Sequence, residues 1–200
     1  MAFFYTNSLA RVPSFLGFHK RAVRPWLLGG ILTIPSGLLL LLFLSWKSLP
    51  LSFNLAEAAW HLGFIFIGVA LFEEGLFRGL VFRQLMALAP WWRAGLYSGI
   101  LFAFTHLGNL MIGYPLPHVI YQLAHTLTAS LLWGYLTWKL KGNIWACVAY
   151  HTFNNFYAAA FIADEDIRRH IVSFSLFSLL GLAIAFVAAW ILLGGNREPE

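Results

Sequence analysis

Six apolar stretches constrain the fold of this chain more than any other feature of its sequence. A membrane-spanning helix needs about 20 predominantly apolar residues, and each stretch approaches that length between polar residues, prolines or glycines. The sequence therefore predicts an all-α fold, a polytopic transmembrane helical bundle with about six spans. The predicted spans lie near residues 26–46, 56–76, 93–110, 118–138, 143–162 and 171–193.

The composition excludes several other classes of protein. Of the 200 residues, 60% are hydrophobic and 10% are charged, against roughly 45–50% and 25% in a soluble domain. The net charge is +5, but the basic residues form short clusters beside apolar runs, so we expect no nucleic-acid partner. The single cysteine, Cys147, excludes an intramolecular disulfide framework.

The chain is predicted to form one transmembrane domain, residues 26–193, between a basic cytoplasmic leader, 1–25, and a polar tail, 194–200. Apolar spacing continues beyond the second stretch to Met86, which predicts one long helix that leaves the bilayer near Arg83. With the N-terminus inside, nine of the 13 Lys and Arg residues lie on the inner side and three on the outer side. This asymmetry predicts that both termini are cytoplasmic.

Ionisable side chains inside the predicted spans are the candidates for function, because a charged residue such as Arg, Lys or Asp costs about 2.5–3.5 kcal/mol at the centre of a bilayer. At about 1.5 Å of rise per residue, Glu73, His106 and His151 lie about 15, 20 and 15 Å from the inner surface. Side chains from three helices thus meet at one level, which predicts a membrane-embedded polar site. The complete set is Glu73, Glu74, Arg78, His106, His125 and His151.

The two adjacent glutamates have different surroundings on a helix. Glu74 and Arg78 are separated by one turn, so they are predicted to form a structural ion pair. Glu73 points about 100° away from Glu74 and has no charge partner on its own helix, which suits a general base. The alternative is an ion pair that only fixes helix packing, with Glu73 hydrogen-bonded to a neighbouring hydroxyl or amide.

Two histidines extend the predicted site. His151 and Asn155 lie on one helical face, one turn apart, where they are suited to stabilise an oxyanion. His106 and His151 are equally suited to bind a metal such as zinc together with Glu73. The alternative is that both histidines are packed polar residues.

His125 lies two helical turns after His118, so the two face the same way. The pair is predicted either to form a wall of a substrate cavity or to serve packing at the membrane interface. Several tryptophans lie at predicted span ends, where they are typical of interfacial anchors. They are Trp26, Trp46, Trp91, Trp92, Trp138 and Trp190.

Three motifs occur in order on separate predicted spans, within about residues 64–160. Together they resemble the CPBP family of CAAX prenyl endopeptidases and bacteriocin-processing (Abi-like) intramembrane proteases. The motif residues are Glu73, Glu74 and Arg78; Phe102 and His106; and His151 and Asn155.

The resemblance implies an intramembrane endopeptidase that hydrolyses a peptide bond in a membrane-associated protein or peptide. By the same resemblance, Glu73 activates the attacking water and His106 helps to bind that water or a metal. His151 and Asn155 stabilise the oxyanion, and Phe102 is a candidate for the cavity wall. The neighbouring ion pair holds the site in shape.

The resemblance leaves the cofactor and the substrate open. A divalent metal such as zinc, held by Glu73, His106 and His151, and a metal-free glutamate mechanism are both consistent with the residues. Removal of a prenylated C-terminal tripeptide, maturation of a leader peptide and cleavage of a C-terminal sorting signal are candidate reactions. The expected partners are membrane lipid and the substrate, in a prokaryotic cell membrane.

Three other functions fit the sequence less well. A rhomboid-type serine protease would use Ser98, but Leu96 stands where that family has glycine. A proton-coupled transporter would need a polar pathway to both faces, whereas the polar residues cluster at one level. A non-catalytic immunity or binding member of the same family would not need all of Glu73, His106 and His151.

Overall fold

The computed structural model describes residues 11–51 and 55–199. This part of the chain contains helices, turns and loops and no strand, which confirms the all-α prediction. Six long helices account for most of it, together with the short helices Val12–Phe15 and Asp164–Arg169. The long helices are α1 (Val23–Trp46), α2 (residues 55–86), α3 (Trp91–Thr105), α4 (Leu116–Lys139), α5 (Trp145–Phe161) and α6 (Ile171–Leu192).

Two of these helices, α1 and α6, are long and apolar enough to cross a membrane. They have 24 and 22 residues and mean hydropathies of 2.3 and 2.4. The helices α3 and α5 have 15 and 17 residues, and α2 and α4 carry charged or polar side chains along their length. The structure thus contains two candidate membrane spans, and the presence of six remains a prediction.

α1 is interrupted once, at Thr33, between the segments Val23–Leu32 and Ile34–Trp46. Pro35 has no backbone N–H to donate to the preceding turn. Thr33 compensates in part, because its Oγ1 donates a hydrogen bond of 2.6 Å to the Gly30 carbonyl oxygen.

α2 is continuous from residue 55 to residue 86, in agreement with the predicted long helix. It alternates between α-helical and π-helical turns: Leu71–Glu74 is α-helical, and Ile65–Ala70 and Gly75–Phe82 on either side are π-helical. π-helical turns are rare and occur frequently at functional sites. Here they flank the segment that carries both glutamates.

α5 packs against α1 and α2, while α4 packs against α3 and α6. The approach of α1 to α5 depends on glycine: a Cβ atom at Gly29 would lie 2.2 Å from the Ala146 carbonyl oxygen. Only a residue without a side chain permits this separation. This close packing fixes α5, and with it His151, within the bundle.

The end of the bundle that includes residues 139–145 also holds both ends of the described chain. The Ile144 amide donates to the Gly17 carbonyl oxygen at 3.1 Å, and the Arg83 guanidinium donates to the Phe15 carbonyl oxygen. From the other terminus, the Gly195 carbonyl oxygen accepts a hydrogen bond from the Tyr135 hydroxyl at 3.0 Å. The predicted leader, 1–25, lies partly outside the described residues, but its remaining part is fixed against α2 and α5.

Candidate active site

An ion pair between Glu74 and Arg78 lies at the centre of the bundle. Arg78 Nε is 3.2 Å from Glu74 Oε2, and the two side chains are 1% and 0% exposed. Arg78 Nη2 also donates to Ser130 Oγ at 2.5 Å, and its guanidinium carbon lies 4.3 Å from the centroid of the Trp133 ring. A buried charge is strongly destabilising without such partners. Arg78 thus holds Glu74 in one position.

Glu74 in turn orients His151. This contact between the two side chains is not predicted by the sequence. His151 Nδ1 donates a hydrogen bond of 2.8 Å to Glu74 Oε1, and the imidazole is stacked on Trp133 with ring centroids 5.0 Å apart. A hydrogen bond at one ring nitrogen determines the chemistry left to the other. His151 Nε2 is therefore the nitrogen available for reaction.

Glu73 lies on that reactive side of His151. Its Oε2 is 3.6 Å from His151 Nε2, and its side chain is 27% exposed. The contacts run from Arg78 through Glu74 and His151 to Glu73, and Glu73 is the most exposed member. The sequence predicts no charge partner for Glu73 on its own helix, and the structure gives it a partner on α5.

His106 follows the last residue of α3. Its Nδ1 donates to the Phe102 carbonyl oxygen at 3.3 Å, which leaves Nε2 as an acceptor in the neutral ring. The Phe102 ring lies 5.2 Å from that of His106 and 6.3 Å from that of His151. Phe102 thus contacts both imidazoles and is itself stacked on Phe77 at 4.3 Å.

A cavity of about 370 Å³ lies beside these residues. Six of the residues considered in the sequence analysis line it. Glu73 is not part of the lining, but its carboxylate contacts the wall at His151. The six lining residues are Phe102, His106, His118, His125, His151 and Asn155.

Several lining residues were not predicted from the sequence. Gln122 lies on the same face of α4 as His118 and His125. Its helical spacing from these two histidines could have predicted that it lines the cavity. Asn154 adjoins Asn155. Ser36 and Ser178 lie on α1 and α6 and belong to none of the three motifs. The apolar part of the lining is formed by Leu40, Phe43, Ile65, Ala158, Ala159, Ile167, Phe174 and Phe177.

His125 projects into this cavity from α4. Its Nε2 is buried and has no hydrogen-bond partner among the described residues, and its ring lies 5.5 Å from that of Tyr121. A buried ring nitrogen without a partner is costly. His125 therefore presents an unused hydrogen-bonding group at the cavity.

The suggested metal ligands do not form a ready-made metal site. Across residues 11–51 and 55–199, no group of three or more His, Cys, Asp or Glu side chains is arranged to hold a metal ion. Glu73 and His151 are in contact, but His106 does not join them in such a group.

Ser98, the candidate nucleophile of the rhomboid-type alternative, is buried and 1% exposed. Its Oγ donates to the Phe77 carbonyl oxygen at 2.9 Å. This hydrogen bond joins α3 to α2, so the hydroxyl has a structural partner instead of a catalytic base.

The comparisons with known proteins agree with the resemblance that the three motifs indicate. A family model described as type II CAAX prenyl endopeptidase, Rce1-like, matches residues 55–157, which include all three motifs. No curated protein and no solved structure matches the chain. The family match confirms the resemblance to membrane-embedded CAAX-type proteases. The chain belongs to the Rce1-like family of type II CAAX prenyl endopeptidases.

Proposed function

We propose that this protein is an intramembrane endopeptidase in which Glu73 activates the attacking water. One observation carries the proposal: Glu73 Oε2 lies 3.6 Å from Nε2 of His151, a residue of the cavity wall. Glu74 already occupies the other ring nitrogen. Glu73 is thus the carboxylate of the pair that is available to take a proton.

In the first step, Glu73 removes a proton from water while His106 Nε2 accepts a hydrogen bond from the same water. The oxygen attacks the carbonyl carbon of the substrate peptide bond, and its electron pair forms the new C–O bond. Fixed partners at His106 Nδ1 and His151 Nδ1 support this role, because both imidazoles are held before substrate binds.

In the second step, His151 and Asn155 donate hydrogen bonds to the oxyanion of the tetrahedral intermediate. Because His151 Nδ1–H is directed to Glu74, donation from Nε2 requires the doubly protonated imidazole. With Glu73 carrying the proton taken from water, the positive charges of Arg78 and His151 would be balanced by Glu74 and the oxyanion. Glu73 returns its proton to the leaving nitrogen, and the C–N bond breaks to give a carboxylic acid and an amine.

The substrate is proposed to be a membrane-associated protein or peptide. The cavity combines a polar part, near His151 and Asn155, with an apolar part that includes Phe43 and Phe174. Such a cavity suits a peptide bond next to an apolar group. The family description favours a prenylated C-terminus, and leader or sorting-signal processing would use the same chemistry.

We also propose that the bundle crosses the membrane six times, with both termini in the cytoplasm of a prokaryotic cell. The contacts of Phe15 with Arg83, and of Gly195 with Tyr135, support a common side for the two termini. The basic residues Lys20, Arg21, Lys139 and Lys141 lie near this end, as expected for the cytoplasmic side.

The test compares new peptide termini in membranes that contain wild-type protein or Glu73→Gln at equal abundance. The substitution removes the base and preserves side-chain volume, so we expect a folded and inactive protein. Glu165→Gln is the matched control, because the Glu165 carboxylate lies at the surface, 81% exposed, and pairs only with Arg169 among the described residues.

Termini that appear with wild type and with Glu165→Gln, but not with Glu73→Gln, would support the proposal and reveal the cleaved sequence. Equal cleavage by Glu73→Gln would contradict the role of Glu73. Identical termini in all membranes, even with a prenylated CAAX peptide supplied, would instead favour a transporter or a non-catalytic binding protein.

A further inference from the structure

An open groove lies on the outside of the bundle between α1 and α5. It has a volume of about 290 Å³ and is apolar along most of its length. Gly30 keeps it open, because a Cβ atom there would approach the Phe153 ring to 3.5 Å and a longer side chain would enter the groove. The lining residues are Trp26, Leu27, Gly30, Ile31, Ile34, Phe153 and Tyr157.

Exposed cations lie at one end of this groove. Arg24 shares a helical face with Leu27, Ile31 and Ile34, because they follow it by three, seven and ten residues. Lys20 and Arg21 precede it and are also exposed. None of the three cations forms an ion pair with a carboxylate in the part of the chain that the structure describes.

The backbone that carries these cations is fixed to the bundle. Asn143 Nδ2 donates to the Arg21 carbonyl oxygen at 3.1 Å, and Trp145 Nε1 donates to the His19 carbonyl oxygen at 3.0 Å. Trp145 also packs against Trp26, the lining residue that is nearest to Arg24 in the sequence. The position of the positive charges relative to the groove is therefore set by the fold.

The groove and the cations at its end together span about one leaflet of a bilayer. From Arg24, beside the groove, to Ile34 within it, the helix rises about 15 Å, which is half of the roughly 30 Å hydrocarbon core. We propose that this groove binds an acyl chain of an anionic glycerophospholipid, whose phosphate lies against Arg24, Lys20 and Arg21. The inference is independent of the proposed protease mechanism.

The experiment measures lipid binding by native mass spectrometry of the full-length protein in detergent. The probes are dioleoyl phosphatidylglycerol and dioleoyl phosphatidylcholine. We expect Arg24→Gln to weaken phosphatidylglycerol binding about fivefold, the effect of one cation near a lipid surface, with little effect on phosphatidylcholine. Arg93→Gln is the matched control, because Arg93 is exposed at the start of α3 and outside the groove.

A second variant tests the apolar part of the groove. Gly30→Leu should weaken the binding of both lipids, because its side chain occupies the volume that an acyl chain would fill. Arg24 is exposed, so its variant tests the proposal even if Gly30→Leu does not fold.

Three results would overturn the proposal. Equal losses with Arg24→Gln and Arg93→Gln would indicate a general electrostatic attraction. Displacement of the lipid by free glycerol 3-phosphate would indicate a phosphate site that does not use the groove. Unchanged binding by a folded Gly30→Leu would exclude the groove as the acyl-chain site.

Discussion

Arg78 shows how a single residue holds this site together. Its guanidinium contacts Glu74, Ser130 and the Trp133 ring, and Glu74 holds His151. Ser130 is itself fixed, because its hydroxyl donates to the Thr126 carbonyl oxygen at 2.7 Å. The loss of Arg78 therefore affects both the charge balance and the orientation of His151.

We predict that Arg78→Ala lowers stability by about 3–5 kcal/mol, the usual effect of removing one partner of a buried ion pair, and abolishes proteolysis. Thermal unfolding in detergent and the peptide-termini assay measure the two effects. Arg78→Lys keeps the positive charge but loses the second N–H donor group of the guanidinium, so we expect intermediate losses of stability and proteolysis. A fully stable and active Arg78→Ala would refute the role of the pair.

His125 contributes to the cavity a ring nitrogen without a hydrogen-bond partner among the described residues. It takes no part in the contacts that join Arg78, Glu74, His151 and Glu73. We predict that His125→Leu, which preserves apolar volume, raises KM several-fold, since a typical hydrogen bond contributes about 1 kcal/mol, and leaves kcat unchanged. Steady-state cleavage of an identified peptide substrate measures both constants. His61→Leu, outside the cavity lining, is the control, and unchanged KM in both variants would mean that His125 only serves packing.

At the scale of elements, the approach of α1 to α5 positions His151 relative to α2. Gly29→Ala would place a methyl group 2.2 Å from the Ala146 carbonyl oxygen, so the two helices must separate. We predict that overpacking lowers the stability of the protein by about 1–3 kcal/mol. Activity should also fall, because the displaced α5 carries His151 away from Glu74.

The control for Gly29→Ala is Gly63→Ala on α2, where no atom lies within 4 Å of the added Cβ. Alanine is favoured over glycine in a helix by up to about 1 kcal/mol, so this variant should be neutral or slightly stabilised. Thermal unfolding and cleavage rates distinguish the two variants. Equal behaviour would contradict the packing argument.

At the scale of the whole molecule, the mechanism depends on side chains that three helices bring together. We predict that chelation with EDTA or 1,10-phenanthroline leaves the cleavage rate and the unfolding temperature unchanged. Metal analysis of the purified protein provides a readout besides activity. Inactivation by the chelator, reversed by added zinc, would instead support the alternative in which Glu73, His106 and His151 bind a metal.

Much of the fold could be predicted because hydropathy and helical periodicity are local properties of the sequence. The six predicted stretches correspond to the six long helices of the described chain, and the continuation of α2 to Met86 followed from apolar spacing. The π-helical turns and the interruption of α1 at Thr33 were not predicted. The number of helices that cross the membrane is still a prediction.

Local sequence patterns were sufficient to identify a helical membrane protein with the motifs of CAAX-type proteases, and to predict the Glu74–Arg78 pair, because one helical turn joins the two residues. That Glu74 binds His151 and that Glu73 faces the opposite ring nitrogen became evident only from the packing of the helices. These contacts join residues 77 and 78 positions apart in the chain. They depend on how α2 packs against α5, which no local spacing encodes.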